Sequence, residues 1–123
     1  MNVVVVAAGL IAATSAAGAC PQGSGIAGSV SLGPLCPVER PGMTCSKPIA
    51  ATLLVMREDG TRAAEVRSAD DGTFRVCLPP GNYDIAPQPL KKDARLPRGM
   101  PERVVVDPHE VSRVLVSYDT GIR

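Results

Sequence analysis

The thirteen residues DGTFRVCLPPGNY, 71 to 83, limit the fold of this chain more than any other stretch. Asp71-Gly72 and Pro79-Pro80-Gly81 are turn formers, and six residues separate them. Such a segment is too short for a helix between its two reversals, and it alternates as a strand does. Phe74, Val76 and Leu78 fall on one face, while Thr73, Arg75 and Cys77 fall on the other, because strand side chains alternate with period two. Gly72 and Gly81 supply positive φ where the chain reverses, and Pro79 and Pro80 restrict the unfolded chain. Tyr83 is expected to bury its ring at the sheet corner and give its hydroxyl a partner. Gly72, Phe74, Pro80, Gly81 and Tyr83 therefore read as a scaffold motif, not as a reactive site.

The same alternation of strand and turn recurs along the chain. IAGSVSL (26–32) reads as a first strand and IAATLLVM (49–56) as a second, with Ala51, Leu53 and Val55 on one face. EDG turns the chain into TRAAEVRS (61–68), and ADDG turns it again into TFRVCL (73–78). NYDIA (82–86) follows. Residues 87–101 hold four prolines and read as a long exposed connection. ERVVVD and EVSRVLVSYD are expected to form a closing hairpin around Asp107, Pro108 and His109, with Val104, Val106, Val114, Val116 and Tyr118 in the core. Seven short strands at this spacing predict an all-β, seven-stranded Ig-like β-sandwich over residues 26–123. Phe74, Tyr83 and Tyr118 are the whole aromatic complement, so Val, Leu, Ile and Ala must fill the core.

At 123 residues the chain holds one ordinary domain. Residues 1–19, MNVVVVAAGLIAATSAAGA, form an uncharged apolar run ending in small residues, the layout of an export signal. The strongly apolar part is shorter than the roughly 20 residues that span a bilayer. CPQGSG (20–25) reads as a short tether. In an exported chain Cys36 and Cys45, nine apart in a proline-rich loop, are expected to form a local disulfide. Half a metal site is the alternative, but one histidine and the lack of closely spaced thiols leave no ligand set, and no metal or other cofactor is expected.

Cys20 has two readings. Ala17-Gly18-Ala19 satisfies the small-x-small rule of ordinary signal cleavage, and AGAC also approximates a lipobox. Lipidation at Cys20, anchoring the chain to the membrane, is the reading adopted; it leaves Cys77 a free packing thiol. A bridge from Cys20 to Cys77 is the alternative that closes the cysteine count.

Three stretches together carry a family resemblance: GIAGSV (25–30), DGTFRVCLPPGNYDI (71–85) and VLVSYDTGIR (114–123). They resemble the carboxypeptidase regulatory-like domains, a transthyretin-like (prealbumin-like) β-sandwich group, and GPLCPVERPGMTC (33–45) with the DTGIR ending resembles a bacterial lipoprotein subgroup within it. The resemblance implies a fold and an envelope address more than an activity. It implies a lipoprotein on the outer face of the cell membrane or in the periplasm, with secretion as the alternative.

Enzymatic readings find little to stand on. Hydroxyisourate hydrolases resemble transthyretin but use histidines, an arginine and a terminal Tyr-Arg-Gly-Ser motif, which DTGIR does not match. Intradiol dioxygenases bind iron through two Tyr and two His, and His109 is the sole histidine. No G-x-S-x-G elbow occurs, and Asp70 and Asp71 are adjacent turn residues. No catalytic residue is assigned. A formal charge of +1 and the lack of a basic helix leave nucleic-acid binding unsupported. The one concentrated charge is LKKDARLPRGMPER (90–103), which reads either as a solvated loop or as a contact surface in which Lys91, Lys92, Arg95 and Arg98 meet an anionic envelope partner. The expected function is a non-enzymatic envelope module that binds a protein or polymer. The alternatives are a secreted domain that binds a small ligand or carbohydrate, and a hydrolase.

Overall fold

A computed structural model describes residues 20–38 and 40–122. The export signal expected at 1–19 lies outside the described residues. Among the described residues nine strands form two facing sheets: β1 (Gly25–Gly33), β2 (Lys47–Pro48), β3 (Thr52–Arg57), β4 (Arg62–Arg67), β5 (Thr73–Cys77), β6 (Gly81–Pro87), β7 (Arg98–Gly99), β8 (Glu102–Val106) and β9 (Val111–Asp119). The seven expected strands are all present, with shifted ends. Two-residue β2 and β7 raise the count to nine, because segments so short show no periodicity to read.

The first sheet is built on β1, which pairs in parallel with β9 from Gly25 opposite Val111 to Gly33 opposite Asp119. Its other edge is shared. β5 covers Gly25 to Ser29 and β2 covers Ser31 and Leu32. Between them the Val30 N–H donates to the Gly72 carbonyl at 2.8 Å, and the Val30 carbonyl accepts from Ile49 N–H at 3.1 Å. Gly72 (φ 85°) thus fits where two strands meet, and a Cβ there would lie 2.5 Å from the Val30 oxygen. The second sheet is antiparallel, in the order β4-β3-β6-β8.

Period-two burial explains why these sheets face each other. Ile26 and Val30 from β1, Phe74 from β5 and Val116 and Tyr118 from β9 are buried, as are Leu53, Val55, Tyr83, Ile85, Val104 and Val106 from the second sheet. They form one apolar cluster, with Ala51 and Leu78 buried beside it and Val76 and Val114 partly buried at its margin. Fully burying a Val, Leu or Ile side chain contributes about 1.5–3 kcal/mol, which makes this layer the main source of stability. Ser68, also buried, accepts from Ala51 N–H at 2.8 Å and donates to the Ile49 carbonyl at 2.9 Å, closing the end of β4 without an orphaned polar group.

Two expected connections differ. The closing hairpin does not form: β8 pairs with β6 in one sheet and β9 with β1 in the other. Val104 and Val106 cover the core from one side, Val116 and Tyr118 from the other, whereas a hairpin would place both rows in the same layer. Likewise ADDG carries the chain from β4 in the second sheet to β5 in the first. The connection 87–101 is also less free than expected, since β7 pairs with Tyr118 and Asp119 and Leu90 packs against the core.

Candidate functional site

The corner motif is occupied by structural bonds. Tyr83 is buried and its hydroxyl donates to the Pro79 carbonyl at 2.7 Å, fixing the turn between β5 and β6. Gly72 and Phe74 are buried, while Pro80 and Gly81 lie at the surface of that turn. Asp71 Oδ1 accepts from Thr73 N–H at 3.0 Å and from Thr73 Oγ1 at 2.6 Å. Asp59 does the same with Thr61, at 2.9 and 2.6 Å. Asp59-Gly60-Thr61 and Asp71-Gly72-Thr73 are therefore two copies of one turn, a repeat visible in the sequence once the two triplets are aligned. The threonine hydroxyls hold both carboxyls below the usual aspartate value of 3.8, and the threonine amides add to the effect. Tyr118 donates to the Gln88 carbonyl at 2.5 Å, and burial pushes its phenol above 10.0.

All four cysteines are paired: Cys36 with Cys45, as expected, and Cys20 with Cys77. The second bond is the bridge held as the alternative reading of Cys20, and it pairs the Cys77 thiol that the lipidated reading leaves free. A sulfur bonded to its own Cβ and to a partner sulfur has no valence left for a thioether, so the two fates exclude each other. It also corrects the tether. Cys20 is buried, Gly23 N–H donates to the Cys20 carbonyl at 2.9 Å, and Ser24 bonds Leu78 through both its hydroxyl (2.7 Å) and its carbonyl (3.3 Å). Gly25 makes room for the bridge, since a Cβ there would lie 3.2 Å from Cys20 Sγ and 2.4 Å from the Val76 oxygen.

Lys91, Lys92, Arg95 and Arg98 are all exposed at the opposite end of the sandwich. The Ala94 N–H donates to the Lys91 carbonyl at 3.2 Å, so the loop turns on itself. Arg103 stands apart, paired with Asp84 at 3.1 Å. The C-terminal segment passes beneath the basic loop. Gly121 (φ 88°) lies close to Leu96, where a Cβ would come within 2.7 Å of Leu96 Cδ1. Thr120 bonds the Gly33 and Pro34 carbonyls at 3.0 and 2.6 Å, next to the Cys36–Cys45 loop. Arg95, Leu96, Arg98, Asp119 and Gly121 line a cleft of about 520 Å³. Sequence reading missed the apolar half of this end: Leu35, Val38, Met43 and Leu96 are exposed, Val38 by 63%. Each is a single residue in a loop, and only the fold collects them.

His109 has φ 60° and is exposed in the turn between β8 and β9. Among the described residues no group of three or more His, Cys, Asp or Glu side chains converges.

No family model and no curated protein matches the chain. Among solved structures it is similar to GBS52, the minor pilin of Streptococcus agalactiae, at 14% identity with a TM-score of 0.57, over 79% of this chain and 44% of the pilin. The Bacillus anthracis TIE protein aligns at 8% identity with a TM-score of 0.46, over 97% of this chain and 20% of that one. This chain thus spans less than half of either aligned chain. The likeness to the pilin is one of fold, an all-β sandwich.

Proposed function

We propose that this chain is an exported, disulfide-stabilised β-sandwich module of the cell envelope, non-enzymatic, whose basic and apolar end contacts an anionic partner. The observation that carries the reading is the pairing of all four cysteines, two of them in a bridge that begins directly after the signal-like leader. Disulfides persist in oxidising compartments. Within the sandwich class, the matches at 25–30, 71–85 and 114–123 support assignment to the transthyretin-like, carboxypeptidase regulatory-like group. The exposed position of His109 supports the non-enzymatic reading, because a general base must reach both its proton and an orienting partner.

Intact mass of the exported protein tests the address and the cysteine chemistry together. The expected species starts at Cys20, carries no lipid and gains four hydrogens on reduction. A diacylglyceryl adduct on Cys20 with a free Cys77 overturns the bridged form, and an uncleaved chain overturns export.

A further inference from the structure

A β-sandwich leaves backbone groups open along its edge strands, and most edges of this one are defended against pairing. β4 carries Arg62, Glu65 and Arg67 and lies beside a register irregularity between Val55 and Met56. On β8 the Val105 carbonyl accepts from the Ser112 hydroxyl at 2.6 Å, and Pro101 and Pro108 flank the strand. β5 and β2, which share an edge, are five and two residues long. β9 has none of these devices. It runs for nine residues without a proline, keeps an unbroken register with β1, and leaves Leu115 74% exposed.

The bonds at the two ends of β9 fix which backbone groups face its outer edge. Gly25 N–H donates to the Glu110 carbonyl at 3.2 Å, and Thr120 N–H donates to the Gly33 carbonyl at 3.0 Å. A strand in a parallel ladder bonds its neighbour through alternate residues, so Ser112, Val114 and Val116 bond β1 while Val111, Arg113 and Leu115 turn N–H and C=O away from it. β7 closes the far end of this edge, where Met100 N–H donates to the Ser117 carbonyl at 2.9 Å. Among the described residues no strand pairs with Val111 to Leu115 on that side. An extended segment laid there would complete the sheet. Its residue opposite Arg113 would fall on the outer face beside an exposed guanidinium, and the ion pairs among the described residues do not include Arg113. Its residues opposite Val111 and Leu115 would meet apolar side chains. Charge decides the occupant. A second copy of β9 running antiparallel would cover Val111 to Leu115 in full only with the two Arg113 side chains opposite each other, and like charges so placed destabilise a strand pair. We propose that the open edge of β9 binds an extended strand of another protein, one that sets a carboxylate opposite Arg113 and apolar residues opposite Val111 and Leu115. The site is separate from the basic loop and stands or falls independently of it.

Titrating the exported protein with the peptide acetyl-Val-Thr-Glu-Thr-Val-amide, followed by amide NMR shifts and hydrogen exchange, tests the proposal. In the free protein the amides of Arg113 and Leu115 should exchange fast and those of Val114 and Val116 slowly, because only the second pair bonds β1. The peptide should give saturable shifts at Arg113 and Leu115 and slow the exchange of both. A peptide with Lys in place of Glu should bind about fivefold more weakly, since an attractive cross-strand pair is replaced by a repulsive one. Methylating the backbone nitrogen of the Glu should weaken binding at least as much, because it removes a ladder bond. Arg113→Glu should reverse the preference so that the Lys peptide binds better, and that reversal also shows the variant to be folded. Lys91→Glu with Lys92→Glu should leave both affinities unchanged. No saturable shift with the Glu peptide, equal binding of the Glu and Lys peptides, or undiminished binding of the methylated peptide overturns the proposal. So does a dimer of the free protein in sedimentation equilibrium with slow exchange at Arg113 and Leu115, which assigns the edge to a second copy.

Discussion

Gly60 and Gly72 occupy the same place in two copies of one turn, with φ of 88° and 85°, yet their surroundings differ. Nothing lies within 4 Å of a Cβ built on Gly60, whereas one on Gly72 meets the Val30 oxygen at 2.5 Å and Pro48 Cβ at 2.9 Å. Gly60→Ala should therefore cost only the left-handed backbone term, about 1 kcal/mol. Gly72→Ala adds displacement of β1 or β2 and should cost about 3 kcal/mol or more, measured by urea denaturation. The aspartates of the two turns share a pH dependence. Their carboxyls titrate below 3.8 in the folded state, so the folded protein binds fewer protons there than the unfolded chain does. That contribution is complete above the ordinary aspartate value and is lost as pH falls through the depressed values. The double variant Asp59→Asn, Asp71→Asn should show a flatter stability profile below about pH 4 than the wild type in acid titrations followed by circular dichroism. Tyr118 acts at the other extreme. Its raised pKa means stability is present below 10.0 and declines as pH rises through the folded value, and Tyr118→Phe should remove that alkaline limb.

At the scale of elements, one-sided burial made the strands legible, and pairing stayed hidden. Leu53 and Val55, or Phe74 and Leu78, show by spacing alone which face is inward, and the structure buries each of them. An Asp-Gly-Thr turn, however, closes the β3–β4 hairpin at Asp59 and crosses between sheets at Asp71, with the same local chemistry in both places. Only the pairing partner distinguishes them, and that depends on residues far away in sequence. The same limit concealed the pairing of β8 with β6 and of β9 with β1. Cysteine parity, by contrast, reduced the problem to two options without choosing between them. The Cys20–Cys77 bond spans 57 positions and the Cys36–Cys45 bond nine. Chain entropy gives the longer closure about 4 kcal/mol and the shorter about 2.7. Cys20→Ser with Cys77→Ser should thus lower the unfolding free energy more than Cys36→Ser with Cys45→Ser. The longer bridge also pins Ser24 against Leu78, so its removal should increase amide exchange at 20–25, while loss of the shorter should act within 34–46.

The molecule as a whole is polar in layout because β1 and β9 run parallel. Their starts, Gly25 and Val111, share one end with the Cys20–Cys77 bridge; their ends, Gly33 and Asp119, share the other with the Cys36–Cys45 loop and the basic loop. Nine strand residues separate the two by roughly 30 Å. Cys20 therefore lies at the end remote from Lys91, Lys92, Arg95 and Arg98. Exposed cations act on anionic surfaces within a Debye length, about 8 Å at physiological salt, and each contributes about 1 kcal/mol near an anionic bilayer. Leu35, Val38 and Leu96 on the same end add apolar contact that salt does not screen. Sedimentation with phosphatidylglycerol-containing vesicles should retain the protein, whereas phosphatidylcholine vesicles should not. Lys91→Glu, Lys92→Glu and Arg95→Glu together should reduce retention more than about tenfold, and raising salt should act in the same direction. Arg113→Ala, on a different face, should have no such effect. Retention that survives charge reversal would remove electrostatics from the contact and leave the apolar loop tips as its basis, a reading that Val38→Ser and Leu96→Ser would then test directly.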